Sequence, residues 1–346
     1  MMRMGWFRLV GGTVILGLGL SLAACTSPGA QDSPSPSTSP SAPTSPDSSV
    51  APSASALPTV SQPAPSSNLN GVEATGAFGE APTVTVPFPW AIDTTQTKVL
   101  VAGDGPTVQD AGMVQVNYYG VDGRTGVTFD QSYANGKPVD FSLSGVVPGF
   151  QKGLAGQKVG SRVLIAMPGA DGYDASGGKS EAGIEIGDTL VFVVDILRTS
   201  VTEPSGTATT QADPNLPSVS NDLAAPTVTI PTDKPAPTDV VVVPLITGTG
   251  PVVGASDTLV VNYAEYIWGT GAMVRQTYGF SPLKGALTST LPGWQKALTG
   301  QPMGSRLLVV VPPDQAYPEG NPKVSIPKGS TMVYVIDILY TSPNTF

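Results

Sequence analysis

Any chemistry this chain performs has to do without imidazole. It holds no histidine, and its one cysteine is Cys25. Histidine-based triads, imidazole general bases and most zinc sites are therefore excluded. A lone cysteine also closes no internal disulfide. What remains is carboxylates, hydroxyls, backbone amides and apolar surface. Nucleic acid is a poor partner. Charged residues make up only 12% of the chain, the net charge is −9 and no basic run occurs.

The residues left to carry chemistry occur twice. PGFQKGLAGQKVGSR (Pro148–Arg162) returns as PGWQKALTGQPMGSR (Pro292–Arg306). VNY at Val116–Tyr118 returns at Val261–Tyr263, and APTVTVP at Ala81–Pro87 returns as APTVTIP at Ala225–Pro231. TLVFVVDIL at Thr189–Leu197 returns as TMVYVIDIL at Thr331–Leu339. A repeat this long is a duplicated domain, not a solenoid unit of a few dozen residues. Differences between the copies at a candidate site then say which copy is better equipped.

The elements that must position these residues are mostly strands. Met113–Tyr119, Arg162–Met167 and Leu190–Leu197 are β-branched runs of alternating character. Leu259–Tyr263, Arg306–Val311 and Met332–Leu339 repeat them. Gly, Pro and Asp punctuate the runs, as in Asp104-Gly105-Pro106 and Asp122-Gly123, which predicts short antiparallel strands and turns. One helix per copy fits beside them. Pro148 suits a first helical turn, and Phe150 and Leu154 then share one face at i and i+4. Trp294 and Leu298 do the same in the second copy. A sheet packed on one short helix is an α+β arrangement.

Each copy resembles an FKBP-type peptidyl-prolyl cis-trans isomerase domain, over about residues 98–198 and 240–341. The strings that carry the resemblance are VNYYG (Val116–Gly120), TFDQS (Thr128–Ser132), VVPGFQKGL (Val146–Leu154), VGSRVLIAMP (Val159–Pro168), DGY (Asp171–Tyr173) and GDTLVFVVDIL (Gly187–Leu197). Their order and spacing match throughout. The resemblance implies a curved antiparallel sheet wrapped around one short helix. It also implies prolyl isomerisation, which needs no nucleophile, metal or cofactor. The barrier is amide resonance, and it falls when a dry apolar cup binds the twisted amide better than either planar form. Donors at the rim then fix the carbonyl of the twisted state.

Carried over from the family onto the first copy, Tyr118, Phe129, Val146, Val147, Phe150, Ile184 and Phe192 form the walls and floor. Asp130 stands at the rim, and Tyr173 donates its hydroxyl to the substrate carbonyl. Phe150 replaces the family's usual tryptophan, and Asn135 replaces the basic residue often found after the aspartate. The second copy departs further. Val274 takes the Phe129 position and Arg275 the Asp130 position, so a wall shrinks and the rim charge reverses. Tyr263, Leu291, Trp294, Tyr317, Ile326 and Tyr334 remain in family positions. This copy reads either as a peptide-binding cup of poor turnover or as a spacer without ligand. The double change Val274→Phe with Arg275→Asp is expected to raise its rate.

The front of the chain sets the compartment. Arg3 and Arg8 precede an apolar run, Leu9–Leu22, that ends in Leu22-Ala23-Ala24-Cys25. The run has the length of a signal core and falls short of the ~20 residues of a membrane span. The string is similar to a bacterial lipobox, which makes Cys25 a lipid acceptor; the bland alternative is an incidental thiol. The expected division is 1–24 signal peptide, 25–70 Ser/Pro/Thr-rich tether, 81–199 first domain, 200–224 linker and 225–346 second domain. Tether and linker are too poor in apolar residues to offset their conformational entropy.

The expected function is a lipid-anchored isomerase on the outer face of the cell membrane. It would act on proline-containing segments of exported proteins, mainly through the first domain, and the family resemblance adds macrolide inhibitors as ligands. The alternative is a non-catalytic peptide-binding module or holdase with the same fold.

Overall fold

The computed structural model describes residues 62–346. The leader, Cys25 and most of the tether lie outside the described residues. The first strands of the described residues form a hairpin, β1 (Glu73–Thr75) and β2 (Thr83–Thr85). Then come β3 (Gln96–Val101), β4 (Met113–Asp122), β5 (Thr128–Gln131), β6 (Val139–Ser142), helix α1 (Pro148–Leu154), β7 (Arg162–Met167) and β8 (Leu190–Thr199). Between the copies lie β9 (Gly206–Ala208) and a second hairpin, β10 (Ser218–Val219) and β11 (Val228–Thr229). The second copy runs β12 (Val241–Gly248), β13 (Thr258–Ile267), β14 (Met273–Gln276), β15 (Leu283–Ala286), α2 (Pro292–Leu298), β16 (Arg306–Val311) and β17 (Met332–Ser342). The two antiparallel sheets have the orders β3-β7-β8-β4-β5 and β14-β13-β17-β16-β12-β9, with β6 and β15 also paired to the long strands β4 and β13.

The central strands are not alternating. Every residue of β7 and of β16 is buried. One face of β7, Val163, Ile165 and Met167, packs with Phe150 and Leu154 of α1. The other face, Leu164 and Ala166, packs with Val72, Val86, Trp90 and Ile92 from the segment ahead of the domain. A strand covered on both sides reads as a continuous apolar run, as strands buried on both faces do. The second copy repeats this, with Leu308 and Val310 covered by Leu216, Val219, Val228 and Ile230. Each domain therefore has three layers: helix, sheet and strap. Gly149 permits the close helix approach, since a Cβ there would lie 2.6 Å from the Met167 side chain.

A buried arginine pins each strap. Arg162 Nε donates to Asp195 at 2.6 Å, and its Nη1 and Nη2 donate to the carbonyls of Gly76 and Glu80. Arg306 pairs with Asp337 at 2.7 Å and holds the carbonyls of Asp222 and Leu223. The straps move the expected boundaries. The packed first domain begins ahead of residue 81, since Gln62 already donates to Asp188 at 2.8 Å. The stretch 200–224 is no free linker. Its β9 pairs with β12, and its few apolar residues cover the second sheet.

The two copies also share core. Met113 of β4 is 2% exposed and sits in the second domain's apolar cluster with Leu259, Val260 and Leu339. Asp140 of β6 is buried and accepts from Gln115 at 3.2 Å, from Tyr340, from Ser342 at 2.7 Å and from Asn344 at 2.6 Å. Arg198 donates to the carbonyl of Thr341 across the same seam.

Candidate functional site

The first cup lies between α1 and the inner face of the sheet. Phe192 of β8 is its hub. Phe129 of β5 and Phe150 of α1 meet it edge-on at 5.4 and 5.3 Å between ring centres, and Tyr118 of β4 lies tilted against it at 6.3 Å. Val146, Val147 and Tyr173 are half-buried against the same cluster, and Ile184 is buried in it. All the wall and floor residues expected from the sequence therefore meet in one place. One ring was missed. Phe141 of β6 meets Phe150 edge-on at 5.7 Å and Tyr118, tilted, at 5.9 Å.

The rim is polar. Tyr118 donates its hydroxyl to Asp130 Oδ2 at 2.8 Å. Burial, and then the hydrogen bond to Asp130, push that phenol well above its usual range, so it stays a donor. Asp130 is exposed and also accepts the Gln131 amide at 2.8 Å. The Tyr173 hydroxyl has no partner among the described residues, while Lys179 lies 5.5 Å from its ring centre. Asp171, two residues before Tyr173, accepts from Lys152 of α1 at 2.7 Å and from Thr95 at 2.5 Å. That pairing ties the Tyr173 loop to the helix. Asn135 is exposed at the end of a single turn, Tyr133–Asn135, and has no bond to Asp130.

The second cup is built on the same elements with other side chains. Its floor is Trp294, which meets Tyr263 at 5.2 Å and Tyr334 at 5.3 Å, both edge-on. Leu291 and Tyr317 line it, and Ile326 is buried behind. The registers place Gly285 opposite Leu259 as Phe141 stands opposite Val114, so a glycine replaces a wall ring. A Cβ on Gly285 would meet nothing within 4 Å. Phe129 is likewise reduced to Val274, and over Trp294 the cup holds a cavity of about 340 Å³.

One residue there was missed. Glu265 of β13 stands where the first copy has Gly120, and it is fully buried. Its carboxylate accepts from Arg275 Nε and from the Tyr334 hydroxyl at 2.8 Å. Arg275 Nη2 donates to the Tyr317 hydroxyl at 2.8 Å. Burial, and then the neighbouring Glu265, hold the Tyr334 phenol far above its usual range. The changes are mutually dependent. At Gly120 a Cβ would lie 2.7 Å from the Phe129 ring and 3.0 Å from Phe192, so the phenylalanines of the first cup demand the glycine. Comparing Gly120 with Glu265 between the copies was the one sequence observation that could have found this.

The sequence model of the family described as FKBP-type peptidyl-prolyl cis-trans isomerase matches residues 105–197 and again 250–339, together more than half of the chain. The chain belongs to this family. Its enzyme class is peptidyl-prolyl cis-trans isomerase, carried as tandem FKBP domains. It is 33% identical over 118 residues to the "Probable FK506-binding protein" of Corynebacterium glutamicum, covering 34% of this chain and 98% of that one. It is 40% identical over 100 residues to the FK506-binding protein of Streptomyces anulatus, covering 28% and 77%. It is 38% identical over 102 residues to the FKBP-type isomerase FkpA of Escherichia coli, covering 29% of this chain and 36% of FkpA.

Proposed function

We propose that this FKBP protein isomerises Xaa-Pro bonds in exported proteins at the outer face of the membrane, mainly through its first domain. The observation that carries the reading is the first cup itself: a cluster of five aromatic rings, Phe192 among them, with a Tyr118–Asp130 pair and the unpartnered Tyr173 hydroxyl at its mouth. A proline ring enters the dry cup. As the amide twists, resonance is lost and its carbonyl becomes a more localised acceptor. Tyr173 donates to it there, and a donor that strengthens in the twisted state lowers the barrier. No group changes its covalent bonds, which suits a chain without histidine.

The whole chain is expected to accelerate a proline-limited peptide isomerisation. Tyr173→Phe should lower kcat/KM about tenfold to a hundredfold, the equivalent of ~1–3 kcal/mol for one hydrogen bond. Circular dichroism should be unchanged. A wild-type chain without activity at high concentration would instead support the binding-module reading. In the second cup, Tyr317 is tied to Arg275 and not free as Tyr173 is, and this favours binding over turnover there.

The location rests on the lipobox-like string ending in Cys25. Lipidation at that residue would anchor the protein, since buried acyl chains contribute ~0.8 kcal/mol per methylene. Cys25→Ser should then release the protein from the membrane fraction or leave the precursor uncleaved. Unchanged retention and lipid labelling of that variant would remove the anchor from the proposal.

A further inference from the structure

The two cups present opposite charges at the same place. In the first, the rim group is the exposed carboxylate of Asp130. In the second it is the guanidinium of Arg275, whose side chain is 44% exposed. Three groups hold it over the mouth: Glu265 from beneath, Tyr317 across the opening, and the Tyr263 ring, whose centre is 5.9 Å from the guanidinium carbon. Glu265 is fully buried and its second oxygen is occupied by Tyr334, so the anion of the pair is not presented at the surface. The outward edge is cationic, and Nη1 has no partner among the described residues. Below it lies the open apolar cavity, lined by Trp294, Tyr263, Tyr334, Leu283 and Leu291. The Trp294 indole N–H is buried and has no hydrogen-bond partner among the described residues.

We infer that the second cup selects proline segments that carry a carboxylate next to the proline, with Arg275 as the specificity-determining group. The inference rests on reading the cups as sites for proline peptides. The proline ring occupies the cavity over Trp294, and the flanking carboxylate accepts from Arg275 at its edge. A guanidinium fixed by its other N–H groups loses little side-chain freedom on binding, and its bond to a carboxylate is charge-assisted. The same peptide meets repulsion from Asp130 in the first cup. One chain thereby divides its clients by the charge beside the proline: acid-flanked segments go to the second domain and the others to the first.

The test follows the Trp294 indole resonance in the ¹⁵N-labelled whole chain, assigned through Trp294→Phe. The probes are the peptides Ala-Glu-Pro-Phe and Ala-Pro-Glu-Phe, each against its glutamine counterpart. At least one acidic peptide should saturate the shift at roughly tenfold lower concentration than its counterpart, the ratio of a half-exposed charge-assisted contact to a neutral one. That preference should shrink toward unity in about 1 M salt, where the screening length is ~3 Å. It should vanish in Arg275→Gln with Glu265→Gln, a pair that leaves no buried charge unmatched. The salt arm needs no variant, so a misfolded double change does not spare the inference. Acidic and amide peptides titrating alike, or a preference that survives both salt and the double change, would overturn it. A Trp294 resonance that no peptide moves would overturn it as well. Isomerase turnover in the same sample would then still support the first-domain reading.

Discussion

In the whole chain, Asp195→Ala is expected to destabilise the first domain by about 3–5 kcal/mol, the usual cost of leaving one member of a buried ion pair unmatched. Arg162 is 1% exposed and Asp195 fully buried, so water cannot replace the lost partner. The damage extends beyond the pair. Asp195 also accepts from the Gly79 amide at 2.7 Å and from the Tyr133 hydroxyl at 2.9 Å, and its arginine holds the strap by two carbonyls. Loosening the strap uncovers the outer face of β7 and β8, which is apolar. Domains are stable by only ~5–15 kcal/mol, so a loss of this size is a large share. Hydrogen exchange of the β7 and β8 amides, read beside the β16 and β17 amides as an internal control, measures it domain by domain. Asp130→Ala, at an exposed carboxylate, should stay within about 0.5 kcal/mol. A loss under about 1 kcal/mol at Asp195 would mean that the pair does not fix the strap.

The straps show where sequence reading stopped. The repeat and the helix opening at Pro148 were legible because they depend on local spacing, and the wall residues because the family resemblance implies them. Phe150 and Leu154 face the sheet for the same reason any i, i+4 pair shares a face. The third layer was not legible. Leu216 and Val219 are isolated apolar residues in a Pro- and Ser-rich stretch, and composition averaged over that stretch hides them. The sign lay instead in β7 and β16, whose apolar runs after Arg162 and Arg306 do not alternate and so imply cover on both faces. Met113 was hidden for a different reason: only the tertiary arrangement carries it into the neighbouring domain's core. Within the cups, the resemblance placed residues one by one and so passed over couplings. Arg275 and Val274 were visible as departures. That they depend on Glu265 became visible only once β14 was paired with β13 in register.

That coupling reverses the expectation for repairing the second cup. Val274→Phe with Arg275→Asp, made alone, should unfold or strongly weaken the second domain and should not quicken it. The new ring would be aimed at a position where the first copy tolerates no Cβ, and Glu265 fills that position with a full side chain. The new aspartate would face the Glu265 carboxylate with the guanidinium gone. Like charges in a buried site cannot both ionise, and an uncompensated buried charge costs about 3–5 kcal/mol. Adding Glu265→Gly clears the space and the charge together. Adding Tyr334→Phe removes a hydroxyl that would otherwise lose its acceptor, at a cost of ~1–3 kcal/mol if left in place. The fourfold variant also frees Tyr317 from Arg275 and restores at the rim the carboxylate that the first cup presents. In a whole chain whose first site is silenced by Tyr173→Phe and Asp130→Ala, this variant should exceed the silenced parent in isomerisation by about tenfold, near the contribution of one regained donor. The twofold variant should show no gain and a lowered melting transition. If the twofold variant instead folds normally and gains as much as the fourfold one, Glu265 is not the obstacle, and the buried Glu265–Arg275–Tyr334 network is a bystander to the slow turnover assigned to this domain.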